Sequence, residues 1–317
     1  MSQKLPIPCH QIDHYTLIVP NAKQVADFHI HILGFKFMRI QLVNAGSAPK
    51  GKYDMLNYVL AWPNDAERVL VITEGLTKTS IFHRFMEKYG QGIHHIAFEV
   101  DHMDSTFNAL QTAGIPMTSD QIMNDLLTGL KQVFLDNQHT GVFIELIERP
   151  DEASEPKAAQ AGFFTHDNMA GLAQTMDQYI EQHQLAIQES GIEQYTPADN
   201  YYPQANLIEQ VIPYRYEVGI HNLDASAQFF NEVLALDMVT RSDQAFLLQV
   251  QNQNKPDLSF KHYANPPFCA LTYQVKSLSQ TMAALDSSQI SYKTEENSLY
   301  LDEQYAGYPL RLCEAPL

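Results

Sequence analysis

The chain is short of cysteine, of positive charge and of long apolar runs, and each shortage closes off a class of function. Its 317 residues include only Cys9, Cys269 and Cys313. Three cysteines without a CxxC pair argue against a disulfide framework or a zinc–thiolate site, and they fit a reducing cytoplasm. Lysine and arginine number 20 against 37 aspartates and glutamates, a formal net charge of −17. Such a surface repels nucleic acid and anionic membranes, so neither is expected as a partner. No apolar run approaches the roughly 18 residues of a membrane helix. The opening MSQKLPIPCHQIDH also lacks the apolar core of a secretory signal. A cytoplasmic protein acting on a small molecule is the expectation.

What is present is a globular composition, 45% hydrophobic and 18% charged, in a chain long enough for about two domains. Residues 12–40 open on an apolar, β-branched run that reads as a strand. Pro20 and Asn21 punctuate it, and Val25, Phe28, Ile32 and Leu33 then recur at helical spacing. Gly34 stands where a helix C-cap belongs, and FKFMRI begins a second strand. Further strands are expected at YDMLNYVLAWP and RVLVITEG. The pattern restarts at residues 92–117 as strand, turn, helix and glycine, and LLTGLKQVFLD and TGVFIELIER close the unit as strands. Residues 12–150 therefore read as two βαβββ modules in tandem.

Residues 151–212 differ. DEASEPKAAQAG is small and polar, a linker. HDNMAGLAQTMDQYIEQHQLAIQES reads as helix, with Met169, Leu172, Met176, Tyr179 and Ile180 on one face. From residue 213 the first unit returns. Residues 214–239 align without gaps on 13–38, 268–291 on the strand and helix that begin at Ile93, and 307–314 on 141–148. Such a repeat implies two similar domains of paired modules. The expected organisation is residues 1–150, a linker with a covering helix at 151–212, and a second domain at 213–317.

The repeat also isolates candidates for chemistry. His14 falls opposite Arg215, His95 opposite Ala270 and Glu145 opposite Arg311, while the apolar framework is shared. A purely structural role would not confine these residues to one half. Two imidazoles and a carboxylate on one face form a facial triad suited to non-heme Fe(II), with coordination positions left open. All three sit in strand-like segments, which are stiffer supports than loops. The ordinary reading of a strand histidine is a core or surface residue, and eleven of the thirteen histidines lie in residues 1–183. His29, His31, His83, His102 and His183 are read that way. Alternation puts His94 and His95 on opposite faces, with His94 outward.

These residues resemble the vicinal-oxygen-chelate superfamily of glyoxalases, bleomycin-resistance proteins and dioxygenases. IDHYTLIVP resembles its first ligand strand, GIHHIAFEVDHMD the second and GVFIELIER the third. The resemblance implies an α+β fold of two tandem domains, each a curved mixed sheet of paired βαβββ modules with flanking helices. It also implies a divalent metal on His14, His95 and Glu145, with Glu148 the weaker alternative to Glu145. ITEGLTKTSIFHRFMEKYGQGIHHIAFEV is similar to the epimerase branch, but the fourth ligand of that branch would fall on Val71, which cannot bind metal. LKQVF and GFFTHDNMAGLAQTMDQYI resemble the 4-hydroxyphenylpyruvate dioxygenase branch. That likeness implies Gln132, Phe134, Asn168 and Met169 as substrate-binding residues and a lid at 162–180. Met169 replaces a stacking aromatic, and the order of metal and metal-free domains is reversed relative to that branch. The expected activity is an Fe(II)-dependent dioxygenase acting on a 2-oxo acid, with Mn, Co, Ni or Zn as other possible metals and a homodimer as a possible assembly. The competing readings are a metal-dependent isomerase or lyase, with Glu148 or His94 as acid or base, and a resistance protein that sequesters a ligand. Arg215 and Arg311 are expected either to pair with local carboxylates or to face an anion.

Overall fold

A computed structural model of the chain describes residues 5–44, 46–63, 65–125, 129–137, 140, 142–150, 189–193, 212–220, 222–249, 258–262 and 269–314. The run QIDHYTLI forms strand β1 (Gln11–Ile18). Helix α1 (Ala22–His31) follows, capped by the Asn21 side chain, which accepts a hydrogen bond from the Gln24 amide. Gly34 has φ 82°, the left-handed turn expected after a helix. Strands β2 (Lys36–Asn44), β3 (Met55–Trp62) and β4 (Asp65–Gly75) complete the first module. Helix α2 (Ile81–Tyr89) leads to β5 (Gly92–Glu99), α3 (Met103–Ala113), β6 (Met123–Asn124), β7 (Lys131–Leu135) and β8 (Phe143–Glu148).

These strands make one nine-stranded sheet in the order β6-β7-β8-β5-β1-β4-β3-β2-β9, where β9 is Glu189–Glu193. Within each module the first strand pairs in parallel with the last, β1 with β4 and β5 with β8. The modules meet where β1 and β5 run antiparallel at the centre of the sheet.

The second half repeats the plan. It contains β10 (Ile212–Ile220), α4 (Leu223–Glu232), β11 (Asp237–Arg241), β12 (Ala245–Gln249) and β13 (Leu258–His262). Then come β14 (Cys269–Val275), α5 (Leu278–Ser287), β15 (Tyr292–Glu295), β16 (Ser298–Leu301), the short α6 (Glu303–Ala306) and β17 (Leu310–Glu314). Their order, β11-β12-β13-β10-β14-β17-β16-β15, matches the first sheet module for module. The register agrees along the central row as well. His14 lies opposite Ala97 and Ala97 opposite Glu145, while Arg215 lies opposite Thr272 and Thr272 opposite Arg311. The α+β fold of paired βαβββ modules read from the sequence is the fold observed.

Two elements differ from the sequence reading. Helix α2 was not anticipated. It covers one face of the first sheet with Ile81, Phe82 and Phe85. Glu189 and Ser190, read as the end of a helix, instead begin β9, which pairs antiparallel with β2. The rest of that expected helix lies outside the described residues. No described helix is long and apolar enough to cross a membrane.

The first sheet has two distinct faces. Tyr15, Leu17, Leu60, Leu70, Ile72, Ile96 and Phe98 face the helical side, in one core that continues into the second half. Ile18, Val59, Val69, Val71, Phe134, Phe143 and Ile147 form a second apolar cluster on the other face, closed by α2.

The two halves are joined by a buried polar chain. His29 Nδ1 donates to the Val25 carbonyl at 2.8 Å, so its Nε2 accepts from the Tyr308 hydroxyl at 2.7 Å. The Tyr308 oxygen also lies 2.7 Å from the Tyr273 hydroxyl. His29 was read as an ordinary helix residue; it is instead fully buried and anchors this junction. Burial pushes its pKa from 6.5 down to about 4. Between those pH values the unfolded chain takes up a proton that the folded chain refuses, so stability falls as pH drops. The loss from this one residue reaches about 3 kcal/mol at most. Urea titrations of wild type and His29→Gln at stepped pH check it. The wild-type curve should fall more steeply between pH 6.5 and pH 4, and parallel curves would show that His29 does not titrate this way.

Candidate metal centre

The ligand candidates converge because of register. His14 on β1, Ala97 on β5 and Glu145 on β8 form one row across three neighbouring strands. His95 stands two residues along β5 from Ala97, opposite Thr16 and Phe143. Ala97 at the middle of the row leaves room for the longer side chains around it. His14 Nε2 lies 3.2 Å from His95 Nε2. Glu145 Oε2 lies 3.1 Å from His14 Nε2 and 3.4 Å from His95 Nε2. All three residues are at most 2% exposed. Among the described residues this is the only group of three or more histidine, cysteine or acidic side chains close enough to share a metal ion.

The donor chemistry fits a cation. His14 Nδ1 is 2.7 Å from the Asp13 carboxylate. That carboxylate only accepts, because the nearby guanidinium of Arg149 holds it well below the usual carboxylate range against the opposing effect of burial. The proton on His14 Nδ1 is thereby accounted for, and its Nε2, which faces His95 and Glu145, offers them a lone pair when that nitrogen is deprotonated. Glu145 Oε1 is buried without a hydrogen-bond partner among the described residues. Acceptors facing one another in a dry interior need a positive charge between them. Burial pushes His14 down, but Glu145 and Asp13 more than reverse this and raise it to about 9. In the bare site a proton supplies part of the charge that a metal would supply in full. His95 moves the other way. Burial, then the neighbouring His94 and His14, hold it well below 6.5 and keep it neutral, as a ligand must be.

Surrounding residues sort the other candidates. Phe134 lies opposite Glu145 and sets its ring edge-on to His95, with centroids 5.4 Å apart. Gln132, two residues along the same strand, is buried, with its amide 4.0 Å from the Met123 sulfur. Asn168 and Met169 lie outside the described residues. Val69 pairs with His14 and Val71 with Thr16, so the strand beside the first ligand offers only valines there. Glu148 Oε2 instead accepts the Met103 amide at 2.5 Å, at the start of α3. The outward position read for His94 is wrong. It is buried among Phe82, Phe85 and Phe143, and its Nδ1 lies 2.8 Å from His95 Nδ1. In the second half, Arg311 donates to Ser298 and lies over the Tyr300 ring, rather than pairing with a carboxylate.

Sequence reasoning missed Asp13 and Arg149. Arg149 donates to Asp13 through Nε at 2.5 Å and Nη2 at 2.8 Å, and both residues are nearly fully buried. The one available signal was the placement of an acid directly before His14.

Residues 11–146 match the model of the Glyoxalase/Bleomycin resistance protein/Dioxygenase superfamily. A 4-hydroxyphenylpyruvate dioxygenase from Neurospora crassa is 29% identical over 154 residues, which cover 44% of this chain and 36% of that protein. The match thus spans about a third of the length of that relative. A solved 4-hydroxymandelate synthase variant from Streptomyces coelicolor superposes with a TM-score of 0.58 at 12% identity, covering 98% of this chain and 95% of its own. A Mn(II)-bound glyoxalase from Novosphingobium aromaticivorans gives 0.54 at 10% identity, covering 97% and 83%. At these identities the structures show the shared fold alone.

Removing the Arg149 cation should expose the cost of the buried Asp13 charge. Arg149→Leu is expected to lower unfolding free energy at pH 7 by about 3–5 kcal/mol. The deficit should shrink as pH falls, because the unpaired Asp13 then takes up a proton in the folded variant. Chemical denaturation at pH 7 and pH 4 measures both values, and an equal deficit at the two would count against this account.

Proposed function

We propose that the protein is a non-heme Fe(II)-dependent dioxygenase acting on a 2-oxo acid, with the metal held by His14, His95 and Glu145. The observation that carries this reading is the convergence of His14 Nε2, His95 Nε2 and Glu145 Oε2 within 3.1–3.4 Å. The valines at 69 and 71 add no fourth ligand, which leaves coordination positions open for substrate and oxygen. The match to 4-hydroxyphenylpyruvate dioxygenase supports the same class. The glyoxalase or epimerase alternative calls for an acid or base beside the metal. Glu148 is committed to the α3 amide and His94 to His95, which favours the oxygenase.

When bound, the metal would orient the carboxylate and keto oxygen of a 2-oxo acid and activate oxygen. The chain supplies the rest. Val69, Val71, Phe134 and Phe143 line the same face as the triad and exclude water from it. Gln132 offers an amide to a polar group of the substrate, and Phe134 an aromatic surface. Asn168, Met169 and the segment 162–180 complete this reading as further substrate contacts and a cover. Mn, Co, Ni or Zn can occupy the same donor set.

Metal analysis of protein purified without chelator should find one divalent ion per chain. His95→Ala should weaken binding by at least about 100-fold. Anaerobic loading with Fe(II), followed by oxygen-electrode measurements with a panel of 2-oxo acids, should show uptake matched by carbon dioxide release. Metal binding without uptake on any member of the panel would sink the oxygenase and leave the isomerase or the sequestering protein. Unaltered metal affinity in His95→Ala would sink the triad.

A further inference from the structure

The residue directly before each histidine of the centre holds the far side of that histidine's ring. Asp13 Oδ1 is 2.7 Å from His14 Nδ1, and His94 Nδ1 is 2.8 Å from His95 Nδ1. Adjacent residues of a regular strand point to opposite faces, so neither contact would form in an unbroken ladder. Both pairs sit at register shifts between β1 and β5. From Ile12 to His14 the partner moves only from Phe98 to Ala97, which makes Asp13 an extra residue. From Thr16 to Leu17 the partner moves from His95 to Ile93, which makes His94 an extra residue. A bulge brings consecutive side chains toward the same side and re-aims them, and bulges gather beside active sites.

The supports differ in kind. Asp13 is itself fixed by the two bonds from Arg149. His94 is held by aromatic rings, with centroids at 5.8 Å for Phe82, 4.8 Å for Phe85 and 5.1 Å for Phe143. The second half is informative by contrast. It keeps the first shift, between Pro213 and Arg215, but places Tyr214 where Asp13 stands. It lacks the second shift, since Arg215 through Val218 pair one for one with Thr272 through Cys269. The acceptors have gone together with the residues they support.

We propose that Asp13 and His94 are the positioning residues of the centre. Each accepts the Nδ1 proton of the histidine that follows it, which fixes both imidazoles as Nδ1–H tautomers with Nε2 aimed at one point. The proposal rests on the metal reading above and extends it to residues that touch neither metal nor substrate. His94 is a neutral acceptor, with its own proton on Nε2. The two ligands therefore have unequal donor strength, His14 backed by an anion and His95 by a neutral ring.

Zn(II) is the probe, because it is diamagnetic and supports no oxidation. Long-range proton–nitrogen NMR on the Zn(II)-loaded full chain should show Nε2 coordination and an Nδ1 proton for both His14 and His95. Zn(II) affinity, by competition with a chromophoric chelator, should fall about 10- to 100-fold in Asp13→Ala and in His94→Phe, which remove the acceptors. His94→Gln, whose amide oxygen can accept the same proton, should recover most of the loss. Coordination through Nδ1 in wild type overturns the proposal, and so does wild-type affinity in both Asp13→Ala and His94→Phe. The NMR readout decides even if a variant fails to fold. A wild type that binds Zn(II) no more tightly than His14→Ala overturns the metal reading itself, and is distinguishable from the other results.

Discussion

Three buried acceptors aimed at one point are the constraint around which the first sheet is organised. Two imidazole nitrogens and a carboxylate oxygen within 3.4 Å repel one another unless a positive charge lies among them. In water such repulsion would be screened, but these residues are cut off from solvent. The arrangement persists because the strands leave little choice. β1 and β5 lie at the centre, with β4 and β8 paired outside them, so the segments that carry His14, His95 and Glu145 have no free edge along which to shift. Arg149 and Asp13 add a second buried charge pair that holds β1 to the end of β8.

The residues that carry the fold were legible because their pattern occurs twice. A single strand–helix–strand run is ambiguous, but the gapless return of residues 13–38 at 214–239 is not, and the sheet registers agree with it up to Thr16 and Glu217. The same comparison separated His14, His95 and Glu145 from the other histidines and acids. What stayed hidden depends on departures from regular geometry. Neither shift between β1 and β5 carries a glycine or proline to mark it, so strict alternation sent His94 to the wrong face. Helix α2 is short and follows β4 after a brief loop, and its role became visible only through what Phe82 and Phe85 cover. Glu189 and Ser190 belong to β9 because β2 offers them an open edge, a tertiary effect that local propensity does not report.

The second half shows what the framework does without the site. Its strand order is the same, yet Arg215 and Arg311 stand where the first half has His14 and Glu145. Arg311 turns to Ser298 and Tyr300 and is only part-buried, an ordinary arrangement for a long cation. What the half contributes is contact. Tyr273 and Tyr308 complete the hydrogen bonds of His29, and Trp62 packs edge-on against Tyr273 with ring centroids 5.4 Å apart. These contacts meet the helical face of the first sheet, opposite the face that carries the triad. The second half thus supports the site from behind.

One framework can serve isomerases and oxygenases, so function is decided by a few positions around the triad. A fourth protein ligand would occupy a position that a chelating substrate and oxygen need. On the proposed reading that place falls on Val71, opposite Thr16, which leaves the position open. An isomerase also needs a group to move protons, and the two nearest candidates are already engaged, Glu148 with the α3 amide and His94 with His95. Moving His94 would break a buried hydrogen bond, at a cost on the order of 1–3 kcal/mol, and moving Glu148 would release the part-buried α3 amide. On the reading proposed above, the arrangement serves to bind and orient rather than to transfer protons. That balance suits chemistry driven by a metal and oxygen better than chemistry driven by a side-chain base.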